Sequence, residues 1–228
     1  MKLTNNLLIL PKKTSEIEKI LHDAGADEEK ISKTIKITGI SRISTANNLS
    51  LTDYIFTGLS VIHNKYNSVF LGVDAVIVVS QTYDHRIPSI STRIQSKFNL
   101  PSDIFCIDIM DGCSGYIKAL KVASLLELKG QKKIMIIAGE INSLMTSGAD
   151  VGTRILFGDG VSVSIIEADN SYFDAIILNN GDHKNTISCN MKDNIFKMNG
   201  VEVFNFTRHK VPSLINHFLE KTKNSLQH

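Results

Sequence analysis

One cysteine stands in a sequence setting that suits nucleophilic chemistry. Cys113 lies in the segment Asp-Gly-Cys-Ser-Gly at 111–115, between an apolar run at 105–110 and a stretch of helical period that reaches 128. This pattern predicts a mostly buried strand that leads into a helix, with Cys113 at or near the helix N-terminus. Unpaired backbone N–H groups and the helix dipole favour an anion there, and so favour the nucleophilic thiolate. The alternative is a buried cysteine that acts as a small apolar residue.

The remaining side chains that could do chemistry form no recognisable set. The chain has no phosphate loop of the Walker type, and no Gly-x-Gly-x-x-Gly segment follows a predicted strand. The histidines are not spaced with cysteines or acids as metal ligands are, so we predict neither a metal site nor a cofactor. Most of them are interpreted as surface residues, and His85 has the strongest claim to a site because it follows a predicted strand. Cys106 and Cys189 are interpreted as structural. The histidines are His22, His63, His85, His183, His209, His217 and His228.

Composition indicates an ordinary globular protein. Of the 228 residues 43% are apolar and 21% are charged, and the net charge is +2. Without a dense block of lysine and arginine, this charge does not favour a nucleic-acid partner. Three cysteines argue against a disulfide scaffold and for a reducing compartment. The N-terminal apolar run is too short for a signal peptide, and no run approaches the roughly 20 residues of a membrane span. We therefore expect a soluble, cytoplasmic protein with no membrane partner.

Predicted strands and helices alternate along the chain, as in an α/β layered fold. Continuous apolar runs at 73–80 and 133–139 are typical of strands covered on both faces, and they favour a largely parallel sheet. Pro88 is interpreted as a first-turn proline and Pro212 as a possible kink in the last helix. A shift in composition near Asp169 predicts a first unit at 1–168 and a second at 169–228. The other predicted strands are 7–10, 105–110, 161–168 and 173–178, and the predicted helices include 14–24, 27–34, 50–66, 89–98 and 202–223.

The segment around Cys113 is one of a series of motifs that occur in a characteristic order. In that order and spacing, they resemble the β-ketoacyl-[acyl-carrier-protein] synthase III family of the thiolase superfamily over nearly the whole chain. The resemblance implies a thiolase-like α/β layered fold with a complete first half and an incomplete second half. The motifs are Leu10-Pro11, Thr38-Gly39-Ile40 with Arg42, VDAVIVVSQT at 73–82, Ile87-Pro88, Ile94-Gln95, Ile107-Asp108, Asp111-Gly112-Cys113-Ser114-Gly115-Tyr116, Ala138-Gly139-Glu140, Phe157-Gly158-Asp159-Gly160, Asn199-Gly200 and Val203-Phe204.

The resemblance implies a cysteine-dependent acyltransferase. Cys113 would attack an acyl thioester, carried by coenzyme A or an acyl-carrier protein, and hold the acyl group as an acyl-enzyme. The acyl group would then pass to the carbanion formed by decarboxylation of a malonyl-carrier protein. This Claisen condensation serves fatty-acid or specialised acyl and polyketide biosynthesis. The Cys113 backbone N–H would supply one oxyanion-hole donor. Asp159 and its flanking glycines would form a structural loop rather than a catalytic acid.

The resemblance also implies a homodimer and further binding residues. The segment around Ile87 would reach across the dimer interface toward the partner's acyl pocket. Met110 and Phe204 are candidate walls of that pocket, with core packing as the alternative. Arg208 and Lys210, on the predicted last helix, are candidates for docking the carrier protein.

Several residues that the family uses to bind its donor are replaced. The chain has no tryptophan, and Ile37 stands where members that use short-chain acyl-CoA carry an arginine. Val151 replaces a second arginine, for which Arg154 one turn away could compensate. Asn205 replaces a basic docking residue. These replacements favour an acyl-carrier protein or an unusual acyl-CoA as donor over acetyl-CoA bound in the usual way.

The motifs that complete the family's site are missing from this sequence. No His-Gln-x-Asn segment occurs, Gln227-His228 is not that motif, and the late glycine that gives the second oxyanion donor is absent. We expect a piece of a longer enzyme, with a partner chain or a degenerate protein as alternatives. Three other functions stay open: transfer of the acyl group to oxygen or nitrogen, a non-catalytic half-subunit or scaffold of a heterodimeric synthase, and a simple α/β binding module.

Overall fold

The computed structural model describes residues 1–46, 49–146, 148–169, 173–179, 181 and 186–222. His183, His228, Gln227 and the predicted helix end at 223 lie outside these residues. The strands are β1 (Lys2–Ile9), β2 (Thr14–Glu16), β3 (Arg42–Ser44), β4 (Ala75–Ser80), β5 (Phe105–Met110), β6 (Lys133–Glu140), β7 (Gly160–Glu167), β8 (Ile187–Cys189) and β9 (Phe196–Met198). The helices are α1 (Ile17–Asp23), α2 (Glu28–Thr38), α3 (Leu51–Lys65), α4 (Ile90–Lys97), α5 (Gly115–Glu127), α6 (Ser143–Thr146), α7 (Val151–Arg154) and α8 (Gly200–Thr222).

Five strands form the central sheet, in the order β1-β7-β6-β4-β5. β4 is parallel to β5 and to β6, since α4 and α5 carry the chain back between these strands. β7 is antiparallel to β6 and to β1. The prediction of a largely parallel sheet is therefore wrong, because only the short helices α6 and α7, and no full crossover helix, lie between β6 and β7. The strand predicted at 173–178 is also absent, and β8 and β9 form a separate hairpin.

The hydrophobic core lies on both faces of β4, whose six residues are all buried. Ile77 and Val79 pack toward α5, where Ala119 and Ala123 are fully buried. The alternate residue Val78 packs with α3 and α4 on the other face. The prediction of doubly covered strands at 73–80 and 133–139 is confirmed.

Local capping signals locate several helix starts correctly. Ser50 accepts the Asp53 N–H at 3.2 Å and caps α3, and Asp27 accepts the Lys30 N–H at 2.8 Å and caps α2. The helix predicted at 14–24 begins instead at Ile17, because residues 14–16 pair with β3 as a short strand. Pro88 precedes the α4 N-cap Ser89, so it does not lie in the first turn as predicted.

β5 is the edge strand of the sheet, with β4 as its only neighbour in the described chain. Phe105 is 39% exposed and Met110 is 75% exposed, and the residues between them are half-buried. The prediction of a mostly buried strand at 105–110 is therefore wrong. Of the helices in the described residues, none combines the length and hydropathy that a membrane crossing requires. The division of the chain near Asp169 stays a prediction.

Candidate active site

The turn that carries Cys113 follows the carboxyl end of β5 and leads into α5. Ser114 is the N-cap and Gly115 begins the helix, so Cys113 lies one residue before the N-cap, as predicted. Its side chain is exposed, and the interpretation as a buried apolar cysteine is therefore wrong. No hydrogen bond among the described residues uses the backbone N–H of Cys113 or Ser114. Both donors are thus available to an anion at this helix N-terminus.

Asp111 holds the turn in shape. Its Oδ1 accepts the Gly112 N–H at 2.9 Å, and its Oδ2 accepts the Ser114 hydroxyl at 3.5 Å. The same Oδ2 forms an ion pair with Lys118, one turn into α5. Asp111 therefore connects both sides of Cys113 to the helix that follows.

Two glycines let the turn lie against the end of β4. A Cβ on Gly115 would lie 2.4 Å from Val79 Cγ1, so only glycine lets α5 begin this close to the strand. A Cβ on Gly112 would lie 2.7 Å from Gln81 Oε1. The Gln81 side chain therefore packs directly on the residue that precedes Cys113.

A half-buried carboxylate joins the ends of β4 and β6. Glu140 Oε1 accepts the Gln81 N–H at 2.8 Å, and Oε2 accepts the Thr82 N–H at 3.0 Å. The hydroxyls of Ser80 and Thr82 each donate to Oε2 at 2.7 Å. Burial raises the pKa of Glu140 and outweighs these hydrogen bonds, which act in the opposite direction. Glu140 thereby fixes the backbone of the loop that carries Gln81.

Two cavities lie beside the strand ends that precede the nucleophile turn. Cys113 lines neither cavity, and four residues line both: Gln81, Met110, Met191 and Asn194. We call the smaller one, of about 200 Å³, the methionine cavity. Its other lining residues are Met145, Ile187, Ser188, Cys189, Asn190 and Phe196. We call the larger one, of about 540 Å³, the loop cavity. Its other lining residues are Tyr83, Asp84, His85, Arg86, Ser89 and Asp108.

A charged group borders the loop cavity. His85 Nδ1 lies 3.4 Å from Asp84 Oδ2 and 3.3 Å from Arg93 Nη1. Arg93 Nη1 also donates to the Thr52 hydroxyl at 3.2 Å, and that hydroxyl donates to Asp84. Burial acts to raise the pKa of Asp84, but hydrogen bonds from Thr52, Ser50 and His85 outweigh it and lower that pKa. His85, singled out in the sequence, therefore lies in a cavity wall with a paired anion and cation.

Two other polar side chains secure the floor of the loop cavity. Asp108, on β5, accepts the N–H groups of Ile90 at 2.7 Å and Ser91 at 3.0 Å, so it holds the start of α4. The Tyr83 hydroxyl donates to the Ile109 carbonyl at 3.3 Å. Burial, aided by the charges of Asp108 and Glu140, raises the pKa of Tyr83, which stays protonated and able to donate.

The structure does not bring all of the candidate binding residues together. Met110 lines both cavities, three residues before Cys113. Ile87 is 85% exposed on the loop before α4 and lines neither cavity. The others are exposed and line neither cavity as well: Phe204, Arg154, Arg208 and Lys210. Phe204, Arg208 and Lys210 belong to α8, in which no described residue is buried.

The loop at 157–160 has a structural role. Asp159 is 3% exposed and its oxygens accept the Ala46 N–H at 2.7 Å, the Ser143 N–H at 2.8 Å and the Ser143 hydroxyl at 2.6 Å. A carboxylate so enclosed links three segments and is not free to act as an acid.

Sequence reasoning identified Met110 and His85 but missed most of the side chains that form the cavity walls. Gln81 and Glu140 follow or end buried strands, and polar residues at the carboxyl ends of neighbouring parallel strands are a signal that could have identified them. Met191 and Asn194 lie in a polar segment whose sequence has neither a helical nor a strand period. Cys189 is exposed and lines the methionine cavity, which contradicts its interpretation as structural. Burial and the charge of Asp193 raise its pKa.

The chain is similar to known condensing enzymes. A family model described as 3-oxoacyl-[acyl-carrier-protein (ACP)] synthase III matches residues 107–181. A β-ketoacyl-[acyl-carrier-protein] synthase III of Acholeplasma laidlawii is 32% identical over 187 residues, which are 81% of this chain and 60% of the relative. A second relative, the synthase III 2 of Bacillus cereus, is 28% identical over 209 residues, 85% of this chain and 58% of its own. This chain thus spans less than two thirds of the length of these curated relatives.

A solved structure supports the same assignment. The crystal structure of a 3-oxoacyl-(acyl-carrier protein) synthase from Burkholderia xenovorans matches 98% of this chain and 70% of its own, with a TM-score of 0.85 and 25% identity. The fold is thiolase-like, with the first half of that fold and an incomplete second half. The chain belongs to the β-ketoacyl-[acyl-carrier-protein] synthase III family of the thiolase superfamily.

Proposed function

We propose that the protein acts as an acyltransferase of the β-ketoacyl-[acyl-carrier-protein] synthase III type and forms an acyl-enzyme on Cys113. The observation that carries this proposal is the exposed Cys113 thiol at the N-terminus of α5, with two free backbone N–H groups. Membership of the family supports it independently.

In the first half-reaction, the Cys113 thiolate attacks the carbonyl carbon of an acyl thioester. The carbonyl oxygen becomes an oxyanion, and the free Cys113 N–H donates a hydrogen bond to it. The carbon–sulfur bond to the donor breaks, the donor thiol leaves, and the acyl group stays on Cys113. In this step the turn supplies the nucleophile and one oxyanion donor, and Met110 is our candidate wall for the acyl pocket.

In the second half-reaction, we propose that a malonyl-carrier protein loses carbon dioxide and its carbanion attacks the carbonyl carbon of the acyl group. The carbon–sulfur bond to Cys113 then breaks, so the Cys113 thiolate leaves and the 3-oxoacyl product stays on the carrier protein. Arg208 and Lys210 are exposed on α8, where they can meet an acidic carrier protein. Phe204 is 60% exposed on the same helix and is our candidate for contact with the carrier-bound chain.

Arg154, exposed at the end of α7, is our candidate for binding the phosphates of the acyl donor. Tight binding of acetyl-CoA that Arg154→Ala abolishes would contradict our preference for another donor.

We also propose a homodimer that forms through β5. The open edge of β5 presents unpaired backbone groups and half-buried apolar side chains, which a second copy can pair. Ile87 lies on the loop just before α4, the helix that precedes β5 in the chain. It is 85% exposed, so it can contact a partner there. Sedimentation equilibrium tests this: a dimer has twice the chain mass of 25.2 kDa, and a monomer at all concentrations contradicts the proposal.

Intact-mass spectrometry after incubation with acyl thioesters tests the acyl-enzyme. We expect one acyl adduct, mapped to Cys113 by peptide digestion, and none in the Cys113→Ala variant. Cys106→Ala and Cys189→Ala are matched controls that keep the adduct, because burial raises the pKa of both thiols and leaves less thiolate. An adduct on Cys106 or Cys189 in place of Cys113 rejects the proposal. Release of carbon dioxide from a malonyl donor distinguishes condensation from acyl transfer to oxygen or nitrogen.

A further inference from the structure

We propose that the side-chain amides of Gln81 and Asn194 select acyl groups that carry an oxygen near the thioester, such as a 3-hydroxy or 3-oxo group, over plain alkyl chains. This inference rests on the proposed function, because it concerns the donor that acylates Cys113. Gln81 and Asn194 are the two amides shared by the walls of both cavities.

The position of Gln81 next to the nucleophile is fixed at two points. Its backbone N–H is held by Glu140 at 2.8 Å, and Glu140 in turn is anchored by Ser80 and Thr82. Its side chain packs against Gly112, with Oε1 2.7 Å from where a Cβ would stand. The amide therefore lies beside the residue that precedes Cys113.

The hydrogen-bonding capacity of these amides is largely unused. No hydrogen bond among the described residues involves the Gln81 side chain. Asn194 Nδ2 makes one long hydrogen bond of 3.4 Å to the Leu144 carbonyl, and its Oδ1 accepts only the weak Cys189 thiol donor at 3.9 Å. An amide both donates and accepts, so either amide can bind a hydroxyl or a carbonyl oxygen of a ligand.

The wall that the two cavities share is otherwise formed by thioether side chains, and this gives the amides their discriminating power. Met110 and Met191 complete the shared wall, and Met145 lies in the methionine cavity. Thioether side chains adapt to an acyl chain but offer it almost no hydrogen bond. An alkyl chain that covers Gln81 and Asn194 removes water from their amides without replacing it, whereas an oxygenated chain supplies a partner. One such hydrogen bond corresponds to a preference of about tenfold.

Two measurements on a matched pair of donors test the inference. The donors are the 3-hydroxybutyryl and butyryl thioesters of pantetheine, which differ by one hydroxyl. The first measurement is equilibrium binding to the full chain carrying Cys113→Ala, which cannot react at that position. The second is the initial rate of acylation of Cys113 in the unaltered chain. We expect about a tenfold preference for the hydroxylated donor in both measurements.

Two variants then locate the source of the preference. Gln81→Leu keeps the size of the side chain and removes its polar atoms, so the binding ratio should fall toward one. Gly112→Ala keeps the amide but places a methyl group 2.7 Å from its Oε1, which displaces the flexible side chain and should also lower the ratio. Gln131→Leu, the same change on the loop before β6, is the control and should retain the preference.

The possible outcomes separate this inference from the proposed function. A preference in binding without acylation of Cys113 rejects the proposed function and leaves the selection by Gln81 intact. Equal acylation by both donors rejects the selection and leaves the acyl-enzyme intact. An unchanged ratio in Gln81→Leu, or binding of neither donor, also overturns the inference.

Discussion

Replacing Glu140 by glutamine should destabilise the protein even though the two side chains have the same shape. Glu140 accepts two backbone N–H groups, from Gln81 at 2.8 Å on Oε1 and from Thr82 at 3.0 Å on Oε2. A glutamine has one oxygen and one NH₂ group, so in either orientation an NH₂ group faces one of these N–H donors. The hydroxyls of Ser80 and Thr82 can rotate to adapt, but a backbone N–H cannot. The glutamine oxygen keeps more partners in the place of Oε2, which leaves the Gln81 N–H without its acceptor. Because Gln81 is exposed, this costs about 1–2 kcal/mol, in the lower part of the range for an unsatisfied donor.

The free-energy cost of the unsatisfied N–H group is partly offset, because the substitution also removes a buried charge. Burial disfavours the charged form of Glu140 enough to raise its pKa above the ordinary 4.5, despite the hydrogen bonds that it accepts. A neutral glutamine avoids this penalty, so we place the net loss at about 1 kcal/mol at pH 7.

The raised pKa of Glu140 also determines how the loss of stability depends on pH. A carboxyl whose pKa is higher in the folded than in the unfolded protein binds its proton more tightly when folded, so its contribution to stability falls as pH rises from about 4.5 through the raised value. Glutamine does not titrate. The difference in stability between the two proteins should therefore be larger near pH 4 than at pH 7.

Urea unfolding followed by circular dichroism at the two pH values measures both quantities. Glu29→Gln, on the exposed face of α2, is the control and should change the free energy of unfolding by less than about 0.5 kcal/mol. A difference for Glu140→Gln that grows toward pH 7 would refute the reasoning, because it would mean that the four hydrogen bonds outweigh the burial. No loss at all would show that the loop rearranges to satisfy its donors.

Two further substitutions test a close backbone contact between β6 and β7 and the cap of helix α7. Gly139→Ala should cost more than about 3 kcal/mol or prevent folding, because its Cβ would lie 2.3 Å from the Gly160 carbonyl oxygen, a backbone atom of the paired strand. Gly200→Ala, whose Cβ meets nothing within 4 Å, is its control in the same urea titration. Asp150→Ala should cost about 1 kcal/mol, because Asp150 caps α7 by accepting the Thr153 N–H at 2.9 Å. Hydrogen bonds from Thr153 lower the pKa of Asp150, so this contribution is present above the ordinary 3.8 and should disappear as pH falls below it; a loss that is the same at pH 2 and pH 7 would contradict the capping role.

The elements that sequence predicted well are those whose signals are local. The apolar run of β4, the caps Ser50 and Asp27, and the turn before α5 are each encoded within a few neighbouring residues. The direction of β7 and the edge position of β5 were missed because they depend on which distant strand each one meets. Strand direction leaves no trace in the period of apolar residues within one strand.

The same distinction applies to the candidate site. The motif at 111–115 identified Cys113 and its place before a helix, because strand, turn and helix are consecutive. Gln81 and Gly112 are 31 residues apart in the sequence. They meet because β4 and β5 pair in a register that places Ser80 beside Met110, so only the paired sheet brings the contact about. Exposure of Ile87 and of the α8 residues was equally invisible, since a sequence does not show which apolar side chains lack a neighbour.

The residues that hold Cys113 in place pack directly against Gln81, our candidate for selecting the acyl group. Gly115 brings the start of α5 against Val79, and Gly112 brings the turn against Gln81. Glu140 then ties the backbone of Gln81 to the end of β6. Because no side chain separates these parts, a change in any of them should move both the thiol and the Gln81 amide. Reactivity and the proposed acyl preference should therefore change together in variants of this unit. Substitutions of Arg208 and Lys210 on α8 should leave both properties unaltered when the donor is a pantetheine thioester, which has no carrier protein to dock.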